Sequence, residues 1–257
     1  MSNKKRYLGG KSQDGVYQKI INQIPPHNAY TEPFLGMGGI IRNKRPAKSN
    51  LGIDLNTETI AQFKTVNQFV EVINSCGIDY LKDLLDLSKI KPVLSDAVNF
   101  ENVYDLSDQF IYCDPPYLPE TRTSNAKYKH ELTFNDHIEL LHILKQLPCD
   151  IAISTYPNDL YKQMLKDWRI FEYTSVASNG EVRNEWLMCN YPEPVFLHDD
   201  QYIGVNNEKR RDIKKRINRN KQKILNWHTL QRVRFINELL NELPSEELKI
   251  LGVSERG

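Results

Sequence analysis

The stretch that most constrains this chain is Phe110-Ile111-Tyr112-Cys113-Asp114-Pro115-Pro116-Tyr117. Its first four residues are largely apolar and read as a buried strand, which ends abruptly at Asp-Pro-Pro. Proline has no N–H to give a sheet ladder, so two in succession end the strand and stiffen the following turn. The turn sets a carboxylate, a proline carbonyl and an aromatic ring together at the C-terminal edge of a sheet. In open α/β sheets, ligands bind at that edge. The trio suits a flat ring bearing an amino group: the Asp114 side chain and the Pro115 carbonyl can take its two hydrogens, and Tyr117 can stack on its face. The same four letters also fit a strand followed by a surface turn, with Tyr117 as ordinary packing. The rest of the chain decides between them.

With 257 residues, 40% hydrophobic and 26% charged, the chain has the makings of an ordinary globular domain with room for an appendage. No apolar run approaches the roughly 20 residues needed to cross a membrane. The start, Met1-Ser2-Asn3-Lys4-Lys5-Arg6-Tyr7, lacks the apolar core of a signal peptide, so a cytoplasmic protein is expected. Cys76, Cys113, Cys149 and Cys189 lie far apart without metal-ligand spacing, so they read as reduced, mostly buried thiols, and no metal is expected.

Taken in order, Tyr7-Leu8-Gly9-Gly10-Lys11-Ser12 is not a phosphate loop, because Lys5 stands where that motif needs its first glycine. Val16, Ile20, Ile21 and Ile24 keep helical spacing until Pro25-Pro26. The segment Ala29 to Ile41 reads as a strand, then a glycine-rich turn over Gly36, Gly38 and Gly39, then a helix with free N–H groups at its start. Leu51-Gly52-Ile53-Asp54 is a second strand ending in an acid, eighteen residues after Gly36, a spacing that suits ribose hydroxyls. Residues 57–87 read as mainly helical, and Val93-Leu94-Ser95-Asp96 as another strand ending in an acid. Residues 118–131 form a polar loop whose Arg122, Lys127 and Lys129 are placed to touch phosphates. A helix over 134–146, a strand at 151–154 and a closing pair around Gly180 complete a mainly parallel sheet with an antiparallel edge strand.

Past residue 198 the composition changes. Residues 209–223 hold nine Lys or Arg (Lys209, Arg210, Arg211, Lys214, Lys215, Arg216 and Arg219 among them) and one acid, Asp212. Ile213, Ile217 and Ile224 give this basic helix a narrow apolar stripe, and a second helix carries Leu230, Val233, Ile236, Leu240 and Leu243. A nearly single-signed face suits a nucleic-acid backbone, since binding phosphates releases counterions. The expected organisation is a domain over residues 1–198 and a basic helical hairpin over 199–257.

Glu32-Pro33-Phe34-Leu35-Gly36-Met37-Gly38-Gly39 followed by Asp114-Pro115-Pro116-Tyr117 resembles the Dam-like, D12 class DNA adenine-N6 methyltransferases. Over residues 6–195 the order fits as well. Tyr7-Leu8-Gly9-Gly10-Lys11 looks like that family's N-terminal cofactor motif, Ser95-Asp96-Ala97 like its third, and Glu185 to Tyr191 like its last strand. The resemblance implies a Rossmann-like sheet binding S-adenosylmethionine. Tyr7, Lys11, Glu32, Pro33, Phe34, Gly36 and Gly38 would lie along the cofactor's methionine side. Asp54 would take its ribose, Asp96 with Ala97 its adenine, and Asp114, Pro115, Pro116 and Tyr117 the target base.

By that resemblance the methyl passes directly to a flipped adenine in DNA, with no metal and no covalent intermediate. Members that read a fixed site usually insert a recognition domain before the Asp-Pro-Pro-Tyr strand. Here Asp54 and Asp114 are only 60 residues apart, so low sequence specificity is expected, as would suit a phage or prophage enzyme. Alternatives that keep the chemistry are transfer to RNA, to a protein glutamine or to cytosine N4. An alternative from another class is a nucleic-acid-binding protein without catalysis, which would not bind S-adenosylmethionine.

Overall fold

A computed structural model describes residues 10–64, 70–95, 106–122, 129–176 and 180–251. Among the described residues seven strands form one sheet: β1 (Ala29–Glu32), β2 (Ser49–Asp54), β3 (Glu71–Asn74), β4 (Gln109–Cys113), β5 (Asp150–Thr155), β6 (Arg169–Val176) and β7 (Val182–Cys189). Their order is β3-β2-β1-β4-β5-β7-β6. β7 alone runs against the rest, between β5 and β6, so the reversed strand lies one place in from the edge. The other strands are parallel, with Tyr30 opposite both Asn50 and Phe110, and Cys113 opposite Ile153. This doubly wound, Rossmann-like arrangement opens at the C-terminal ends of β1 and β4, where the chain's path through the sheet reverses direction.

Alternation along β4 shows why the sheet is buried on both sides. Phe110 and Tyr112 face one layer with Tyr30, Leu187, α1 (Tyr17–Ile21) and α2 (Thr57–Lys64). Ile111 and Cys113 face the other, against α3 (Gly77–Ser95), α4 (Phe134–Leu144) and α5 (Asp159–Met164). Strands covered on both faces read as continuous apolar runs, which is how Phe110 to Cys113 stands out in the sequence. α4 starts at a capping box, with Thr133 Oγ1 accepting from Asp136 N and Asp136 Oδ2 accepting from Thr133 N. It buries His137, Leu140, Leu141, Ile143 and Leu144, while Ile138 is half-buried.

The stretch over 57–87 is mainly helical, as expected, with α2 and the start of α3 on either side of β3, whose single buried residue is Val72. Two local expectations fail. Val93, Leu94 and Ser95 belong to the last turn of α3 rather than to a strand, and Pro92 does not end that helix. After Gly36 no α-helix follows: Arg42 N–H donates to Gly38 O and Lys44 N–H to Ile40 O in successive turns. Two adjacent glycines, Gly38-Gly39, are poor helix formers, and Pro46 closes the room for elongation.

The first compact unit extends through Tyr202. Asp199 accepts from Arg45 N–H at 2.7 Å, the His198 ring stacks on His27 at 3.8 Å, and Tyr202 donates to Asn43 O. The second unit, from Ile203, contains α6 (Asn207–Leu225), α7 (Thr229–Glu242) and α8 (Ser245–Ile250). Asn206 caps α6 by accepting from Lys209 N–H, and the α6–α7 turn is held by Trp227 edge-on to Phe235. Within this unit Ile213, Ile224, Leu240 and Leu243 of the apolar stripes are half-buried, while Ile217, Leu230, Val233 and Ile236 are exposed. Among the described residues no helix is long and apolar enough to cross a membrane.

Candidate active site

β1, β2 and β4 deliver Glu32, Asp54 and Asp114 to the same edge of the sheet, and a cavity of about 500 Å³ opens there. Its wall is continuous from Lys11 through the turn at residues 32–40, across Asp54-Leu55-Asn56 and Cys76-Gly77, to Tyr112, Asp114 and Pro116. Residues 129–132 close another side. The volume lies in the range of sites for drug-sized ligands.

Backbone geometry makes room for that space. Gly36 and Gly38 hold φ of 48° and 60°, where a side chain would be strained. At Gly77 a Cβ would lie 2.1 Å from Pro33 O, so the start of α3 touches the glycine turn backbone to backbone. The Asp54 carboxylate joins the two loops: Oδ2 accepts from Gly36 N–H at 2.8 Å and Oδ1 from Asn56 N–H at 2.7 Å. Each oxygen keeps a second lone pair, suited to a vicinal diol.

Glu32 is buried at the root of the turn, where Oε1 accepts from Tyr30 OH at 2.8 Å and Ile41 N–H at 2.7 Å. Burial pushes its carboxyl up to about 8 despite these bonds. Nearby, Lys44 lies over the Tyr30 ring and is pulled down to about 7, again by burial.

Asp114 is half-buried, Pro115 and Tyr117 are buried, and Pro116 faces the cavity. Lys11, only 4% exposed, donates to Asp114 Oδ1 at 2.8 Å and to Tyr117 OH at 2.7 Å, with Glu185 Oε2 at 3.4 Å. Tyr117 in turn donates to Glu185 Oε2 at 2.7 Å, and its ring meets Tyr156 edge-on at 4.7 Å. Burial alone would lower the Lys11 ammonium, but Asp114 and then Glu185 outweigh it and hold it well above its ordinary value. Burial raises Asp114 above the usual carboxylate range, and Lys11 offsets this only in part. Burial acts the same way on Glu185, yet Lys11 and three hydroxyls bring it below its ordinary value.

Of the residues singled out from the sequence, Lys11, Glu32, Pro33, Phe34, Gly36, Gly38, Asp54, Asp114 and Pro116 meet at this cavity. Tyr7, Asp96, Ala97 and Lys127 lie outside the described residues. Arg122 is not placed for a phosphate: its guanidinium forms a two-pronged pair with Glu131, at 3.0 and 2.6 Å, and is 8% exposed. Lys129 faces the cavity and donates to Asn56 Oδ1 at 3.1 Å. Lys209, Arg211, Lys214, Lys215, Arg216 and Arg219 are exposed on α6, whereas Arg210 is half-buried against Gly204 O and Asn207. Sequence reasoning missed Asn56, Cys76 and Gly77 on the cavity wall. It also missed a structural role for Glu185, whose signal was an acid at the start of the otherwise apolar run Trp186 to Cys189.

Residues 78–179, which include the whole Asp114 turn, match the family described as D12 class N6 adenine-specific DNA methyltransferase. The match supports the D12 class. A Type II methyltransferase, M1.LlaDCHI of Lactococcus lactis subsp. cremoris, is 30% identical over 117 residues, 43% of this chain and 40% of that protein. The chain thus spans less than half the length of that curated relative. Among solved structures, spermidine synthase from Thermotoga maritima superposes with a TM-score of 0.44 at 9% identity, over 77% of this chain and 70% of that one. The 23S rRNA methyltransferase ErmE does so at 0.42 and 9%, over 75% and 72%. The sheet is described here by its own strand order, not by these distant superpositions.

Proposed function

We propose that this chain transfers a methyl group from S-adenosylmethionine to the exocyclic N6 of adenine in DNA. One observation carries the proposal: Asp114 and Pro116 of the Asp-Pro-Pro-Tyr turn line the same cavity as the glycine turn and Asp54. The D12-class match over that turn supports it.

The cavity fits the cofactor by its size, its glycine-lined floor and the paired acceptor at Asp54. In this reading Asp54 holds the ribose hydroxyls, and Phe34, Gly36 and Lys129 line the remaining wall. S-adenosylmethionine supplies, when bound, a methyl group already activated for attack, so the chain's task is mainly placement.

The adenine N6 lone pair is delocalised into its ring. Acceptors at Asp114 and the Pro115 carbonyl draw its two hydrogens and favour a lone pair directed out of the ring plane. Tyr117, fixed through its hydroxyl by Lys11 and Glu185, offers a ring of constant orientation. That ring is 4% exposed beneath Tyr156, so a base reaches its face when Tyr156 swings aside. As N6 bonds to the methyl carbon it carries one proton too many, and Asp114, raised by burial, is suited to accept it. Extruding the base from a duplex costs a few kcal/mol, which contacts to phosphates from α6 would help to offset.

Low sequence specificity follows from the short path between Asp54 and β4, much of it taken by α2, β3 and α3. The test is methyl transfer from labelled cofactor to unmethylated DNA and to RNA, with products digested to nucleosides and identified by mass. N6-methyladenine in DNA across many flanking contexts is the expected result. A label found only in RNA, in protein or at cytosine would overturn the assignment, and one dominant context would overturn the low specificity.

A further inference from the structure

Behind the Asp114 turn lies a buried polar cluster whose centre, Glu185 on β7, never reaches the cavity. Its Oε2 accepts from Tyr117 OH at 2.7 Å and Tyr173 OH at 2.8 Å, and Oε1 accepts from Ser175 Oγ. Tyr112 and Tyr173 meet at Ser154 Oγ, at 2.8 and 3.3 Å, on the far side of the same cluster. Glu185 is 4% exposed, and both of its oxygens are taken by the protein.

We propose that Glu185 is a positioning residue for methyl transfer, sharing the charge of Lys11 so that Asp114 keeps net negative charge toward the adenine amino group. The inference rests on Asp114 being the amino acceptor. Lys11 stands between two carboxylates, 2.8 Å from Asp114 Oδ1 and 3.4 Å from Glu185 Oε2. One cation between two anions leaves the cluster at −1. A Lys11–Asp114 pair alone would be neutral, and its carboxylate would be spent on the lysine. The N6 centre becomes positive as its bond to the methyl carbon forms and the sulfur–carbon bond breaks. A fixed negative cluster in a water-poor site favours that change, without reorganising as it happens.

Among the described residues, further charged and titratable groups face this centre. Tyr112, Tyr117 and Tyr173 are pushed well above their ordinary values by burial, and Tyr156 is raised as well, so all four stay neutral. Arg183 pairs with Glu181, and Glu32 approaches from β1. Glu185 acts on both members of the pair, raising Lys11 and raising Asp114. Transfer needs Lys11 protonated and Asp114 ionised, so removing the Glu185 charge moves both limbs of the pH profile of kcat to lower pH.

The test compares the full chain with E185Q, K11M and the K11M/E185Q double variant, using unmethylated DNA and labelled S-adenosylmethionine across pH. E185Q should lower kcat roughly 10- to 100-fold, as expected for closely coupled charges, with KM for the cofactor within about threefold. Both pH limbs should fall together. In the K11M background the same change should cost less than about threefold, because the charge it balances is gone. Unchanged kcat with unmoved limbs would overturn the proposal, as would an equal cost in both backgrounds, which would mark Glu185 as a packing residue. If E185Q does not fold, E185M takes its place in both backgrounds and is judged on the same terms. D114A separates the two levels: full transfer by that variant would remove Asp114 as acceptor, and the role of Glu185 with it.

Discussion

Replacing Glu32 by Gln should make the protein more stable, by an amount that grows with pH. In the folded chain burial holds the Glu32 carboxyl near 8, against an ordinary value of 4.5. The folded state therefore binds a proton that the unfolded chain has released, and stability falls as pH rises through that window. The gap between 4.5 and about 8, at about 1.36 kcal/mol per pH unit, amounts to about 5 kcal/mol lost by the time the group ionises. Gln carries no such proton, yet its amide oxygen can still accept from Tyr30 OH and Ile41 N–H. Lys44, lowered to about 7, runs in the opposite sense but is present in both proteins and largely cancels. Between pH 6 and 8 the advantage of E32Q should widen by about 2–3 kcal/mol, or roughly 5–10 °C in Tm for a unit of this size. Thermal denaturation at pH 6, 7 and 8 reads it directly. An advantage constant across that range would refute the reasoning, because it would show Glu32 already ionised in the fold.

Gly77→Ala should destabilise the fold by about 1–3 kcal/mol by pushing α3 off Pro33, and thermal melting with and without S-adenosylmethionine should show a smaller cofactor-induced shift. Asp54→Ala removes the acceptor shared by Gly36 and Asn56, and titration calorimetry should find cofactor affinity lower by roughly 10- to 100-fold. Deleting residues 205–257 should weaken DNA binding and flatten its dependence on salt, with cofactor affinity unchanged. An unaltered salt slope would mean that the α6 lysines and arginines are only solvated.

How far the sequence disclosed this site depended on whether a feature was local. Phe110 to Tyr117 was legible because a strand buried on both faces is an unbroken apolar run, and two prolines end it. Asp54 was legible through its spacing from Gly36, and the two are in fact hydrogen-bonded. β3 was not, since Glu71, Ile73 and Asn74 are exposed and four residues give no alternation to detect. Val93-Leu94-Ser95 misled because a short apolar run reads alike in a strand and in a helix. The Lys11–Glu185 contact joins residues 174 positions apart in the chain, and nothing local announces it. Arg122 looked like a phosphate contact only while its partner, Glu131 at the far end of the loop, was out of view.

The most direct measurement is the D114A variant, assayed side by side for S-adenosylmethionine binding by calorimetry and for methyl transfer to DNA. With Asp114 as amino acceptor on the wall of the cofactor cavity but not itself holding the cofactor, transfer should fall by roughly 10³-fold or more while cofactor affinity stays within about threefold. Transfer at the wild-type rate would contradict the assignment of the active site, and an equal collapse of cofactor binding would contradict the role of Asp114 as base acceptor rather than cofactor ligand.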